Sequence, residues 1–213
     1  MKKTKTLLLI ATFFTISHLS KAQYNKGSKF WLAEGTFIGS FYSSSLTSDV
    51  YDVQKNNHNI TLAFKKAYFT EKNIAKGWLL SYNVIYTSQS STTSTTKNTY
   101  IDNYNHTLNG AYFIDKFIPL SKSLAVYGEV LGKIGFGFNS GKGVTSTHEI
   151  HIGANANVGI RYFINKQLFI NGQTSLADIS LKSLTADSKT STNININSLM
   201  TVSTVSIGIG KSF

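Results

Sequence analysis

Large apolar residues recur at every second position over long stretches of this chain. The clearest stretch runs from Val205 to Phe213, where Val and Ile alternate with Ser and Gly. A period of two indicates a β-strand with two unlike faces. About eight such segments follow one another, near residues 29–42, 59–69, 78–88, 103–115, 124–138, 149–163, 168–180 and 196–213. The pattern predicts an all-β chain.

The gaps between these segments alternate in length. Residues 70–77, 116–123 and 164–167 are short gaps, and the only proline, Pro119, lies in one of them, where its missing N–H costs no ladder bond. The longer gaps are mostly rich in Ser, Thr, Asn and Lys: 43–58, 89–102, 139–148 and 181–195. Short turns at one end and long polar loops at the other are typical of membrane barrels. We therefore expect an eight-stranded antiparallel up-and-down transmembrane β-barrel.

Charged residues fall on the polar face of these segments. Alternation alone does not distinguish inside from outside, but the polar faces carry Gly, Asn, Gln and Ser more than the Lys and Glu of a wet surface. An unpaired charge in a narrow lumen is costly, so we expect a paired network that plugs the barrel. The predicted lumen network consists of Glu34, Lys65, Asn83, Asp115, Glu129, Lys133, Arg161 and Gln173. A path for protons or small ions is the alternative interpretation.

The alternation slips in the seventh segment, near Ala177 and Asp178. Such a slip indicates a β-bulge or an early exit from the membrane.

The first 22 residues have the pattern of a secretory signal peptide. A basic start is followed by an apolar run at residues 7–16, and Ser20 and Ala22 are the small residues before a cut at Gln23. The apolar run is too short for a bilayer, which needs about twenty residues. The sequence thus predicts a signal peptide at 1–22 and one barrel domain at 23–213. An uncleaved N-terminal anchor is the other possibility.

Composition excludes some chemistry. The chain has no cysteine, so disulfides, thiol catalysis and cysteine-ligated metals are excluded. Four of its 21 basic residues lie in the signal peptide, which leaves 17 against 10 acidic residues. Several of these lysines fall in the predicted short turns and form no stripe, which favours a solvated surface near anionic lipid over nucleic acid.

The histidines give no convincing catalytic site. His148 and His151 resemble the two ligands of a zinc-protease motif, but the spacing is one residue short. On a strand these two side chains point to opposite faces and cannot share a metal. His58 and His106 lie at the long-loop rim, and no nucleophile is marked by a base and an orienting acid. We expect no enzyme activity, no metal and no cofactor.

Several motifs resemble those of the small outer-membrane β-barrel proteins of Gram-negative bacteria, the OmpX-like, OmpA-transmembrane-like and porin-family group. They are Ala67-Tyr68-Phe69, Arg161-Tyr162-Phe163, the segments 117–121 and 125–129, and the terminal Phe213. The resemblance implies a monomer in the outer membrane, with lipid and the barrel-assembly machinery as its partners. It also implies that Ile207, Ile209 and Phe213 match the barrel-insertion signal, although Lys211 stands where an aromatic residue is usual.

The leading hypothesis is a non-enzymatic outer-membrane barrel with a structural, surface-interaction or narrow-pore role. One alternative is an enzyme acting on outer-membrane lipid, with His58, His106 or His148 as its base. Another is a soluble periplasmic barrel that binds an apolar ligand inside. In that barrel the apolar face, including Val130 and Ile152, would be shielded from water.

Overall fold

The computed structural model describes residues 24–46, 51–93, 99–142, 146–186, 189–198 and 205–213. The proposed signal peptide lies outside the described residues. Nine β-strands account for nearly all of them: β1 (Lys29–Leu46), β2 (Tyr51–Glu71), β3 (Ile74–Thr93), β4 (Thr99–Pro119), β5 (Leu124–Lys142), β6 (His148–Phe163), β7 (Leu168–Ala186), β8 (Lys189–Ser198) and β9 (Val205–Ser212). Within these ranges, no helix is long and apolar enough to cross a membrane.

The sheet closes into a ring. Strands β1 to β7 pair with their sequence neighbours, always antiparallel. Strand β9 then pairs with β1 on one edge, where Trp31 lies opposite Lys211, and with β7 on the other, where Phe169 lies opposite Gly210. The prediction of an eight-stranded up-and-down barrel is confirmed by this closure. Strand β8 adds a ninth segment on Ala177–Ala186 of β7, next to the part that pairs with β9.

The predicted long loops were wrong in extent. Most of residues 43–58 and 89–102 continue the strands, and Tyr51 of β2 still lies opposite Thr93 of β3. The predicted loop at 181–195 instead contains the end of β7 and most of β8. The predicted last strand at 196–213 includes the end of β8 and all of β9, and its residues 199–204 lie outside the described residues. Polar Ser- and Thr-rich sequence was interpreted as loop, yet backbone pairing needs no apolar side chains and Thr favours strands.

The two faces of the ring differ in chemistry. Large apolar side chains stand exposed on the outer face, among them Phe37 at 69%, Trp78 at 67% and Val130 at 62%. A soluble barrel with a greasy interior would bury these side chains. The inner face carries a set of buried aromatic rings and the buried charged residues, among them Glu34, Lys65, Glu129 and Arg161. The structure therefore turns the apolar positions outward.

A bulge on β7 changes which residues face inward. Ala177 lies opposite Ala156 and Ser175 lies opposite Asn157, so Leu176 is left without a partner on β6. Before the bulge the odd-numbered residues of β7 face inward, as the buried Phe169 and Asn171 do. After the bulge the even-numbered residues face inward, and Asp178 accepts a hydrogen bond from Lys133 of the inner face. The irregularity lies one residue from the alternation slip in the sequence.

Candidate functional site: the barrel interior

The short-turn end of the barrel is filled by aromatic rings. We call this set the aromatic plug: Tyr24, Phe30, Phe69, Phe117, Tyr127, Phe163 and Phe169, each exposed by 4% or less. The ring centroids of Tyr24 and Phe117 are 4.8 Å apart, and those of Phe30 and Phe169 are 5.9 Å apart. Such dense contacts between rings exclude water from the cross-section.

Tyr24 lies before the first strand, and its ring packs against Phe69, Phe117 and Phe163 at the short-turn end of the plug. Its carbonyl accepts a hydrogen bond of 2.9 Å from the amide of Asn73, in the β2–β3 turn. Asn73 has φ of 66°, a left-handed conformation that Asn tolerates better than most residues. Burial raises the pKa of the Tyr24 phenol to about 12, so the ring remains neutral within the plug.

Of the residues that the structure describes, Arg161 is the one whose cationic group lies among these rings. The centre of its guanidinium lies 4.2 Å from the Phe30 ring, 4.2 Å from the Phe169 ring and 4.6 Å from the Phe117 ring. Its Nε donates to Asn171 at 3.3 Å. Cation–π attraction is strongest where water is excluded, as it is here. The rings therefore stabilise the buried guanidinium, and Asn171 provides its hydrogen-bond partner.

An ion layer lies above the plug. The Lys65 ammonium is 2.7 Å from Glu129 and 3.1 Å from Glu34, and it donates to Gln173 at 3.1 Å. Asn157 donates to the second oxygen of Glu129 at 2.7 Å. All three ionic side chains are at most 3% exposed. A buried lysine between two carboxylates with further amide partners is a satisfied network.

Tyr127 and Asn171 join the plug to the ion layer. Asn171 donates from its amide to Glu34 at 2.8 Å and to the Tyr127 hydroxyl at 2.6 Å. The Tyr127 hydroxyl in turn donates to Gln173 at 2.9 Å. The absence of a side chain at Gly159 makes room for this phenol, since a Cβ there would overlap the ring. Plug and ion layer thus form one continuous block.

Towards the long-loop end the interior opens into a cavity of about 410 Å³. Most of the residues in its wall are Ser, Thr, Asn or Gln: Asn83, for example, donates to Asn59 at 2.6 Å and to Thr61 at 2.7 Å. Lys133 pairs with Asp178 at 2.8 Å, and these two side chains are 23% and 24% exposed. At ~30 Å³ per molecule, such a space holds on the order of a dozen waters. We call it the lumen cavity.

The predicted lumen residues divide between these layers. Glu34, Lys65, Glu129 and Gln173 meet directly in the ion layer. Arg161 reaches the layer through Asn171, and the buried Asp115 lies opposite Glu129 in the β4–β5 register.

Asn83 and Lys133 lie apart from the ion layer, in the cavity wall. The expected polar plug differs from the structure, because the plug is aromatic and the upper lumen is open.

Sequence reasoning missed three residues of the interior. Tyr127 and Asn171 share the inward parity of Glu129 and Gln173 on their strands, so alternation could have found them. Asp178 was hidden because the bulge at Leu176 reverses the parity of β7.

The histidines that the structure describes lie on three strands, β2, β4 and β6. His148 is exposed on the outer face, whereas His151 lies inside, with its Nδ1 3.5 Å from Glu149. His106 stacks on Phe138 on the outer face, and its Nδ1 lies 2.8 Å from the Tyr82 hydroxyl. His58 stacks beside Tyr86, with centroids 6.2 Å apart. In the part of the chain that the structure describes, no three His, Asp or Glu residues are placed to hold a metal.

The residues of the predicted insertion signal lie on the outer face of β9 and at its end. Ile207, Ile209 and Phe213 are exposed by 64%, 60% and 53%. Phe213 packs against Trp31 of the first strand, with ring centroids 6.0 Å apart. Their role in insertion stays a prediction.

Solved structures with the same architecture are outer-membrane proteins. The chain is similar to OprG from Pseudomonas aeruginosa, at 13% identity, a TM-score of 0.53, and coverage of 89% of this chain and 97% of that one. The N-terminal barrel of Pseudomonas aeruginosa OprF is 14% identical, with a TM-score of 0.39 and coverage of 88% of this chain and 98% of that one. Ail of Yersinia pestis is 12% identical, with a TM-score of 0.39 and coverage of 88% of this chain and 99% of that one. No protein-family model matches the chain, and no curated protein matches it.

The likeness to OprG shows the fold, and the outer face of this chain identifies the surrounding medium. Exposed Phe, Trp, Ile and Val side chains cover the outside of the ring. Lipid is the medium that such a face requires, and a closed ring is the sheet form that satisfies every backbone group in lipid. Fold and outer face together place the protein in the bacterial outer membrane.

Proposed function

We propose that this protein is a monomeric outer-membrane barrel that is closed to through-flow and works by its structure and its exposed surface. It does not catalyse a reaction. The observation that carries the proposal is the continuous block of aromatic plug and ion layer, in which Phe30, Phe169, Lys65 and Arg161 are each 1% exposed or less. A barrel of eight strands is just wide enough for side chains to fill.

The strands are longer than a membrane requires. A membrane-spanning β-strand needs roughly 9–11 residues, whereas β2 and β4 each have 21. The short turns would face the periplasm and the extended hairpins the exterior, as in other barrels of this type. The sequence of the β3–β4 connection, with its run of Ser and Thr at 90–96, is polar. These projections supply a surface for contact with other molecules or with neighbouring lipid.

The distribution of histidines supports a non-enzymatic role. An enzyme acting on outer-membrane lipid would need a base beside a nucleophile and an orienting acid. His106 contacts a tyrosine and aromatic rings, and His148 stands on a different strand of the outer face. Replacing His58, His106 and His148 together should leave the lipid profile of the cell unchanged. A changed profile would favour the enzyme.

Conductance in a planar bilayer tests the proposal. The wild-type barrel should give no steady channel, because the plug and the ion layer interrupt any aqueous path. The variant Phe117→Ala, Arg161→Ala, Tyr127→Ala, Lys65→Ala truncates side chains of both the plug and the ion layer and should give measurable current. Lys133→Ala, in the lumen cavity, is the matched control and should stay silent. Migration of unheated samples on gels checks that each variant is folded.

A steady current through the folded wild-type protein would contradict the proposal and favour a narrow pore. Recovery of the protein in the soluble periplasmic fraction would contradict the membrane location itself. Insertion by the barrel-assembly machinery through Ile207, Ile209 and Phe213 is part of the same proposal. Truncation of Phe213 should lower the amount of folded barrel in the outer membrane.

A further inference from the structure

The outer face of the barrel carries lysines and aromatic rings in alternation at the short-turn end. In one row across neighbouring strands, Lys211 lies opposite Trp31, Trp31 opposite Lys66, and Lys66 opposite Trp78. In the next row towards the rim, Lys29 lies opposite Tyr68, and Tyr68 opposite Lys76. Phe213 completes this row through its backbone bonds with Lys29. We call these eight residues the rim patch.

The side chains of the rim patch face the surroundings of the barrel. Trp31 and Tyr68 are each 47% exposed, and Trp78 is 67% exposed. The Lys66 ammonium lies 5.8 Å from the Trp31 ring, and the Lys211 ammonium lies 5.1 Å from the Phe213 ring. The lysine stems therefore follow the rings along the barrel wall, and the ammonium groups remain outside the protein core.

The four lysines of the rim patch form no ion pair in the described part of the chain. Each ion pair there involves the inward-facing Glu34, Glu129, Glu149 or Asp178, and none includes Lys29, Lys66, Lys76 or Lys211. Four unpaired lysines thus lie in two adjoining rows of a lipid-facing surface. An anion at this surface would be attracted by all of them.

The opposite side of the barrel lacks this feature. Its outward positions at the same end, on β5 to β7, are apolar or aromatic: Val126, Ile160, Tyr162 and Ile170. Lysines that served only to snorkel to the headgroups would suit every side equally. Lys116 on β4 has no aromatic residue opposite it, and Lys122 and Lys166 lie in turns. The alternation of lysines with aromatic rings on β1, β2, β3 and β9 therefore indicates a localised binding surface.

We infer that the rim patch binds the phosphate headgroup of an anionic phospholipid, of the phosphatidylglycerol or cardiolipin class, in the periplasmic leaflet. The ammonium groups of Lys66 and Lys211 would approach the phosphate. Trp31 and Trp78 would lie against the glycerol and upper acyl region, where indole rings are enriched. Each lysine near an anionic lipid surface adds to the attraction. The inference rests on the proposed membrane location and names a lipid for it.

The two tryptophans of the chain both belong to the rim patch, so their fluorescence reports on it directly. The protein is refolded into phosphatidylcholine vesicles that contain a fixed mole fraction of lipid brominated near the top of the acyl chain. In one sample the brominated lipid is phosphatidylglycerol, and in the other it is phosphatidylcholine. Enrichment of the anionic lipid around the patch should make its quenching constant at least about threefold larger.

The variant Lys29→Gln, Lys66→Gln, Lys76→Gln, Lys211→Gln should abolish this difference and keep the quenching by brominated phosphatidylcholine. Lys116→Gln is the matched control, because Lys116 is exposed at the same end but lies opposite Ile74 and Gly128 without an aromatic neighbour in register. It should keep the preference. Gel migration of unheated samples checks that both variants are folded.

Equal quenching by the two brominated lipids in the wild type would overturn the inference. An equal loss of preference in Lys116→Gln would also overturn it, since general surface charge would then explain the effect. Absence of quenching by either lipid would instead contradict the membrane location. The two failures are therefore distinguishable.

Discussion

The aromatic plug and the lumen cavity are built from inward-facing positions of the same strands, yet they hold very different interiors. On β5, Tyr127 is 1% exposed within the plug, whereas Lys133 lines the cavity with its side chain 23% exposed. In the plug large rings from many strands meet at one level and exclude water. In the cavity the inward positions carry Ser, Thr and Asn, which are too short to meet across the barrel. Side-chain size therefore decides which part of a narrow barrel is dry.

Inward parity therefore does not define a single environment. Lys65 and Lys133 both face inward and both pair with carboxylates, but Lys65 is 1% exposed. The buried ion pairs of Lys65 must have all their hydrogen-bond partners in the protein, because water cannot replace a missing one. The partly exposed ion pair of Lys133 can lack a protein partner, because water can take its place. Variants that make the same chemical change in both regions should separate these two situations.

The largest effect is expected from deleting Ala156, a residue of β6 that is paired on both sides, with Val130 of β5 and Ala177 of β7. A shift of one residue exchanges the faces of a strand, so one half of β6 would turn its buried charge, Glu149 or Arg161, towards lipid. The deletion should abolish the folded form seen on gels without heating. Deleting Leu176 is the matched control, because it removes only the unpaired bulge residue and leaves the neighbouring pairs and all faces as they are; equal loss of folding in both deletions would contradict the role assigned to the bulge.

The second largest effect is expected from the two inward-facing lysines, Lys65 and Lys133. Lys65→Ala leaves Glu34 and Glu129 without their shared cation in a dry layer, and such a loss costs about 3–5 kcal/mol of unfolding free energy. Lys133→Ala removes the partner of Asp178 in the cavity, where partly exposed pairs contribute about 1 kcal/mol or less. Urea unfolding of the barrel in lipid vesicles measures both. Similar losses in the two variants would show that the regions do not differ in hydration.

The asparagine pair gives a smaller contrast. Asn171→Ala removes hydrogen bonds to Glu34, Tyr127 and Arg161 at a site that is 0% exposed. The unfolding free energy of the Asn171→Ala variant should fall by roughly 2–3 kcal/mol, since charged partners are left unsatisfied. Asn83→Ala removes bonds to Asn59 and Thr61 that water can replace, and should cost ~1 kcal/mol or less. The same unfolding experiment compares them, and a reversed order would contradict the assignment of dry and wet layers.

Much of the fold follows from the period-two pattern, and the reason is physical. Each strand has lipid on one side and a narrow lumen on the other, so apolar and small or polar residues must alternate. The ends of the strands were not predicted correctly, because the hairpins continue outside lipid, where apolar and polar residues need not alternate. The β3 strand, for example, extends through a Ser- and Thr-rich stretch to Thr93.

The interior was less predictable than the wall. Parity placed Glu34, Lys65, Glu129 and Arg161 on the face that the structure turns inward, but it did not give their partners. The partners depend on which strand positions share a level of the ring, and that depends on register and on the bulge at Leu176. The aromatic identity of the plug was also missed, because alternation shows which residues face inward but not that rings from several strands meet at one level of the barrel.

Labelling of single cysteines from outside the cell tests the layered interior most directly, because the natural chain has no cysteine. Ser81→Cys lies in the wall of the lumen cavity, and Ala125→Cys lies at the short-turn end at a position that is 0% exposed. A small, charged, membrane-impermeant thiol reagent should label Ser81→Cys in intact cells and should label Ala125→Cys only after unfolding. Labelling of both at similar rates in the folded protein would contradict a closed barrel with a wet cavity above a dry plug.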